Sequence, residues 1–391
     1  MTASAPPPEA SARTCHHCGS SDLEISPSYA GFHRVTSDCK PWPAGGLFAR
    51  CRGCGLVQTV VTPEWSAEAD RIYAGYTIYH QSGGSEQRVF DGRGGSGQPR
   101  SQRIIGALRQ AVPLPARGRL LDLGCGNGSF LSAWSELIPG WSLAGSEVSE
   151  KYKREVESIP GVERLYTGDL DDIPGTFDAI SLIHVLEHIP SPAAFLRRLR
   201  RRLAPGGLLI LEVPDCGENP YILLVADHCS HFTPGLLGGV AHSAGFEVLA
   251  ATNSWVAKEV SVVARRPADE LDSRPSRLPD SDSRRVFDNI RVLESTLAAA
   301  RPLSNRPDFG LFGTAIAATW LDAQLGGAAR FFVDEDPGRV GKQHLGRPIL
   351  APADIPRGAT VFVGLPPVLS GRIAERLRQL ERNLEVALPP A

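Results

Sequence analysis

The sequence predicts an α/β protein built on a doubly wound, mostly parallel sheet, and three observations predict it. A glycine-rich loop joins an apolar strand to a helix at Leu121-Asp122-Leu123-Gly124-Cys125-Gly126-Asn127-Gly128-Ser129. Strand-like runs then alternate with helical patterns as far as Val213, which argues helices on both faces of parallel strands. Phe246 to Ala251 and Glu259 to Ala264 follow as two β-like runs with a short link, as an antiparallel sheet edge requires. Seven strands are expected in all.

The loop comes first because it chooses the ligand. Glycine lets the backbone turn tightly and come close to a bound molecule, and the following helix presents unpaired N–H groups. A dinucleotide loop follows Gly-x-Gly-x-x-Gly and holds a pyrophosphate. Here Gly124, Gly126 and Gly128 are spaced Gly-x-Gly-x-Gly, and Asp122 just before the turn suits a cationic or hydroxyl-bearing ligand.

Trp141 to Glu147 reads as the second strand, with Glu147 where an acid meets a ribose in mononucleotide-binding folds. Tyr166-Thr167-Gly168-Asp169-Leu170 ends the third, and Thr176 to Ile183 is a buried fourth. Ala204-Pro205-Gly206-Gly207 is a turn feeding the fifth, Leu208 to Val213. In the intervening helix Phe195, Leu196, Leu199 and Leu203 fall at helical spacing. Arg197, Arg198, Arg200, Arg201 and Arg202 are then a solvated face rather than a nucleic-acid patch. Thr233-Pro234 starts another helix, and in the structural reading His228 and His231 cap it.

With 391 residues, 42% of them hydrophobic, the chain can bury cores for two or three domains. A net charge of -2 gives no general attraction to nucleic acid or anionic membrane. Met1 to Arg13 has no apolar core segment, so it reads neither as a secretory signal nor as an anchor. No run reaches the roughly 18 apolar residues of a span, and a cytoplasmic protein is expected.

Cys15-x-x-Cys18 and Cys51-x-x-Cys54 form two knuckles, each followed by glycine. Two-residue spacing lets both thiolates of a pair converge, and two pairs complete a closed tetrahedral zinc site. Paired disulfides are the alternative, and His16, His17 and Cys39 are possible substitute ligands. A thioredoxin-like use needs a βαβ context that these pairs lack.

The glycine loop with Asp122 resembles motif I of the class I S-adenosylmethionine (SAM) methyltransferases. That resemblance implies a cofactor set of Asp122, Gly124, Gly126, Asn127, Gly128, Glu147, Asp169, Leu170 and His184, with Asp169 matching the acid that meets the adenine amino group. The string Cys51-Arg52-Gly53-Cys54-Gly55-Leu56-Val57-Gln58 and the run Tyr73 to Ser82 narrow it further, as do Phe309 to Ala315 and Asp336 to Lys342. They resemble the three-domain C-methyltransferases of deoxysugar biosynthesis.

The fold this implies is a class I methyltransferase Rossmann-like seven-stranded sheet with an N-terminal zinc-binding module and a smaller C-terminal α/β domain. The expected division is 1–14 a disordered N-terminus, 15–62 the zinc module and 63–105 a helical lid. Residues 106–267 are the methyltransferase core, 268–303 a linker with helix, and 304–391 a Rossmann-like domain flanking the substrate.

The expected function is SAM-dependent methylation of a small molecule, a nucleotide-linked keto sugar methylated on carbon, with a histidine base. His188 follows strand four, and His228 beside Asp227 matches the family's Glu-His. Val225 stands where the family has a tyrosine, so Tyr76, Tyr79 or Tyr221 would supply the phenol. The alternatives are an O- or N-methyltransferase on a sugar or natural product, a zinc-fronted RNA methyltransferase, and a non-catalytic module.

Overall fold

Two cysteine turns organise the first sheet of the computed structural model, which describes residues 13–76, 86, 88–89, 97–268, 277–380 and 382–390. In each turn the glycine after the second cysteine donates its N–H to the carbonyl of the first, Gly19 to Cys15 and Gly55 to Cys51, both at 2.8 Å. Both glycines take positive φ, 78° and 89°, where a side chain would be strained. Strands β1 (Leu23–Ile25), β2 (Phe48–Cys51) and β3 (Val57–Thr59) pair antiparallel around them. Helix α1 (Pro63–Ala74) follows, with Thr62 accepting from Trp65 N–H at 3.2 Å and Pro63 at its first position.

The core begins with α2 (Arg100–Ala111) and strand β4 (Arg119–Leu123), then α3 (Ser129–Leu137) after the glycine loop. It continues through β5 (Ser142–Glu147), α4 (Lys153–Glu157), β6 (Val162–Thr167), β7 (Phe177–Ile183), α5 (Pro192–Arg200) and β8 (Leu203–Pro214). A two-residue strand β9 (Ser230–His231) precedes α6 (Pro234–Ser243), β10 (Glu247–Thr252) and β11 (Glu259–Arg265).

The central sheet has seven strands in the order β6-β5-β4-β7-β8-β11-β10. The first five are parallel and β11 runs antiparallel between β8 and β10. Its order reverses at β4 and β7, the carboxyl-edge crevice where ligands of open α/β sheets bind. One face packs Ile104, Leu108, Phe130 and Trp134 of α2 and α3, the other Leu196, Leu199, Leu236 and Val240 of α5 and α6.

Three local expectations are corrected. Ala204 to Gly207 is not a turn before the fifth strand but a bulge within it, since Phe177 pairs with Leu203 and Ala179 already with Leu208. Leu203 therefore belongs to β8, and Arg201 and Arg202 lie beyond the last turn of α5. Neither His228 nor His231 caps α6; Thr233 does, accepting from Leu236 N–H at 3.3 Å.

His231 and Ser230 instead pair with Val57 and Gln58, so β9 is the fourth strand of the N-terminal sheet, in the order β1-β2-β3-β9. Helices α7 (Asp280–Asp288) and α8 (Ile290–Ala300) then bridge the bodies. Ser283 Oγ donates to Gly55 O at 2.6 Å and accepts from Arg50 Nε at 2.8 Å.

The chain ends in a second α/β unit. Its strands are β12 (Phe309–Phe312), β13 (Phe331–Val333), β14 (Gln343–His344), β15 (Arg347–Leu350), β16 (Thr360–Phe362) and β17 (Glu385–Ala387), with α9 (Ile316–Gln324) and α10 (Pro367–Arg378). They order as β14-β15-β13-β12-β16-β17, all parallel except β14. Phe32 meets Trp320 edge-on at 5.8 Å, and Gln324 accepts from His33 N–H at 2.6 Å, which joins this unit to the N-terminal segment. Among the described residues no helix is long and apolar enough to cross a membrane.

Candidate functional site

The glycine loop lies at the sheet's switch point with Gly124, Gly126 and Gly128 all at positive φ, 67°, 55° and 83°. A Cβ on Gly124 would sit 2.5 Å from Val185 Cγ2, and one on Gly128 2.6 Å from Ile159 Cδ1. The first contact ties the loop to the turn after β7, which carries the histidines. Glu147 spans the loop, accepting from Gly126 N–H at 3.0 Å through Oε2 and from Val148 N–H at 2.8 Å through Oε1. Asn127 Oδ1 accepts from Ser129 Oγ at 2.8 Å. A cavity of about 360 Å³ opens beside the loop, where Asn127, Gly128 and Ser129 face Glu86, Pro99 and Gln102.

Asp122 is buried and accepts from Ser181 Oγ at 2.7 Å. Burial pushes its carboxyl up to about 7, the Ser181 bond works against this, and the charges of Glu147 and Glu86 add to it. Such a group gains from a nearby cation. Asp169 caps the short turn Leu170–Asp172, accepting from Asp171 N–H, and is ion-paired with Arg198. Leu170 is buried beneath it. His184 takes a left-handed conformation at φ 56° and its Nε2 lies 2.8 Å from Arg100. Non-glycine residues adopt that region at a cost and concentrate at functional sites when they do.

Of the sequence-selected catalytic residues, His188, Asp227 and His228 are brought together. The close pairing is not between the sequence neighbours Asp227 and His228. Asp227 meets His188 instead: His188 Nδ1 lies 3.0 Å from the Asp227 carbonyl and 3.3 Å from its carboxylate. Ser37 anchors the same carboxylate through its N–H at 3.0 Å and its Oγ at 2.6 Å. The rings of His188 and His228 meet edge-on at 4.6 Å.

The electrostatics separate the two rings. Burial disfavours charge on His188, but the Asp227 carboxylate outweighs it and, with Glu187, lifts the ring to about 9. Burial and then the charge of His188 bring His228 down to about 4. His188 is thus a cation at neutral pH, and His228 is an uncharged ring with its lone pair available. Burial also opposes ionisation of Asp227, yet its bond to His188 holds it below the usual carboxylate range.

Tyr76 is 38% exposed, and Tyr79 lies outside the described residues. Val225 is fully buried and bridges to Val35, so no phenol can come from that position. Tyr221 turns away, its hydroxyl 3.3 Å from Thr296 Oγ1.

Sequence reasoning missed four groups here. Tyr73 sets its ring 5.9 Å from His188, edge-on. Glu187, Glu212 and Glu259 are carboxylates at the carboxyl edge, and burial lifts Glu212 to about 8 and Glu259 to about 7. Burial would raise Glu187 as well, but His184, His188 and His228 outweigh it and bring it to about 2. A lone acid in Leu208-Leu209-Ile210-Leu211-Glu212-Val213 was the available signal, because a carboxylate in a buried strand is rare without a purpose.

The four knuckle cysteines also converge. Their sulfurs all lie within 4.8 Å of one another, with Cys15 and Cys54, and Cys18 and Cys51, each 3.6 Å apart. Such spacing fits the edges of a tetrahedron with metal–sulfur bonds of about 2.3 Å. The paired sulfurs stand farther apart than the roughly 2.05 Å of a disulfide bond. His16 is engaged with Ser230 Oγ at 2.9 Å, and neither it, His17 nor Cys39 belongs to the cluster.

Residues 99–251 match a family model described as a methyltransferase domain. The chain is similar to a ubiquinone biosynthesis O-methyltransferase of Pseudomonas aeruginosa, 28% identical over 150 residues that cover 33% of this chain and 65% of that protein. It is also similar to a trans-aconitate 2-methyltransferase of Methylobacterium nodulans, 36% identical over 116 residues, 29% of this chain and 45% of that protein. The chain thus spans less than two thirds of each of these relatives. Among solved structures, a SAM-dependent methyltransferase from Mesorhizobium loti aligns at 19% identity with a TM-score of 0.36, covering 42% of this chain and 98% of that one. The family match takes in the glycine loop and most of the seven-stranded sheet around it, so residues 99–251 carry a methyltransferase domain.

Proposed function

We propose that this protein methylates a nucleotide-linked keto sugar on carbon, with His228 as the base and zinc as a structural ion on Cys15, Cys18, Cys51 and Cys54. The observation that carries the reading is the pair His188 and His228: adjoining imidazoles, one half-buried and charged, the other buried and neutral, the first on the turn that follows β7. SAM supplies an electrophilic methyl group. Asp122, Glu147 and the glycine loop would hold it, with Asp169, Leu170 and His184 bordering the same edge.

His228 takes the proton from the carbon next to the ketone. The electron pair left on that carbon would be free to take up the methyl that SAM, when bound, would supply with loss of a neutral thioether. His188, kept cationic by Asp227, stabilises the enolate oxygen, and Tyr73 replaces the phenol that Val225 cannot supply. A general base contributes about 10² to 10⁴ in rate, and the rest comes from holding carbon and methyl in line.

The test is incubation of the protein with labelled SAM and a panel of nucleotide keto sugars, followed by mass spectrometry and NMR of the product. A methyl on carbon, and His228→Asn slowing transfer about 10²- to 10⁴-fold with SAM affinity unchanged, are expected. A methyl on oxygen or nitrogen, with His228→Asn fully active, would replace this reading with transfer to a heteroatom. Val225 is the observation that favours the second outcome.

A further inference from the structure

We propose that Glu187, His188 and His228 form a second cation site, distinct from the four-cysteine cluster, for a divalent transition ion such as zinc or cobalt. One ligand atom from each of the three lies within 4.8 Å of the others. Two imidazoles and a carboxylate are a donor set suited to such ions, which hold their ligands at about 2.1 Å.

Three further features point to a ligand. Glu187 is 2% exposed and neither of its carboxylate oxygens has a hydrogen-bond partner among the described residues. His184 Nδ1 stands 3.4 Å from Oε1, too far for a good bond. His228, 4% exposed, leaves Nδ1 equally unpartnered. A buried polar atom left this way costs about 1–3 kcal/mol, and two residues facing one another in that state are best explained by something between them.

His188 already has the support that metal-bound histidines require. Its Nδ1 faces the carbonyl and carboxylate of Asp227, itself fixed by Ser37, which leaves Nε2 as the ligand nitrogen. Glu187 and Asp227 place two carboxylates beside the site, the second against His188. Arg100 is the balancing cation on that side, against His184 and Glu86. Binding displaces the proton of His188.

The site stands on its own geometry, whereas its effect on turnover rests on the function proposed above. An ion on His228 and a proton on the same lone pair exclude one another, so filling the site should stop a reaction that uses this ring as base.

The experiment titrates cobalt(II) into the full chain with its cysteine site filled by zinc, following absorption and metal content after gel filtration. One further equivalent is expected, with ligand-field bands and no thiolate charge-transfer band. Glu187→Gln and His228→Asn should abolish it, and Asp227→Asn should weaken it about 10- to 100-fold, as loss of a supporting partner does. No second equivalent, or one that persists unchanged in all three variants, overturns the site. Cobalt that binds as expected but leaves methyl transfer unimpaired supports the site and removes His228 as the base.

Discussion

The buried carboxyl of Asp122 links stability, pH and cofactor in one measurable quantity. Its ordinary value of 3.8 rises to about 7 in the folded protein. At about 1.36 kcal/mol per pH unit the difference amounts to about 4 kcal/mol. The folded state holds this proton more tightly than the unfolded chain, so the group destabilises the fold only when ionised. Below pH 3.8 it is protonated in both states and costs nothing. The penalty grows as pH rises from 3.8 to about 7 and is complete above.

Asp122→Asn keeps an acceptor for Ser181 and removes the ionisation. The variant should match the parent near pH 4 and exceed it by up to about 4 kcal/mol at pH 8, provided the cofactor is absent. Because the chain holds several packed sheets, the assay is hydrogen exchange of β4 across a urea series, with midpoints compared at equal slope. Cofactor binding should then release a proton near pH 7 in the parent and none in the variant, read as a dependence of binding heat on buffer ionisation. Parallel pH curves for the two proteins would refute the reasoning, because they would mean the carboxylate is already stabilised as an anion in the empty fold.

Native mass spectrometry should find zinc on the cysteine cluster, and Cys51→Ser or chelation should strip it. Zinc in small thiolate sites is worth about 10–16 kcal/mol, so exchange protection of β1, β2 and β3 should vanish and that of β9 with it. Gly310→Ala places a Cβ 2.3 Å from the Phe331 ring; overpacking of about 1–3 kcal/mol should lower the melting of the C-terminal sheet while cofactor affinity by calorimetry holds. Glu212→Gln should stabilise the empty protein above pH 8 and leave it unaltered below about pH 4.5. Its carboxyl is lifted to about 8 by burial, so the folded form is the one that keeps the proton.

The central sheet was legible because each of its strands is several residues long and bounded by turn residues, and the antiparallel pair at its edge follows from the short link before Glu259. The cysteine cluster was legible from spacing alone. The active-site wiring was not. Asp227 lies in a turn in which the His228 N–H bonds back to the Val225 carbonyl at 3.2 Å, so adjacency in sequence does not decide its partner, and its carboxylate reaches back to His188 instead. Strand β9 has only two residues and leaves no periodic trace. Glu187 lies in a one-turn helix, Tyr73 in the last turn of α1 and Glu259 at the first position of β11, and only the tertiary fold decides whether such residues meet solvent or each other.

The placement of Ser230 and His231 in the N-terminal sheet bears on how the chain is made. During synthesis the two cysteine knuckles emerge early, but their sheet keeps an open edge on β3 until the chain has grown past His231. That edge is filled by the segment that carries Asp227 and His228. The last step in sealing the cysteine-bearing sheet is therefore also the step that brings in Asp227 and His228, and a fragment ending before β9 would display an unpaired strand to its neighbours.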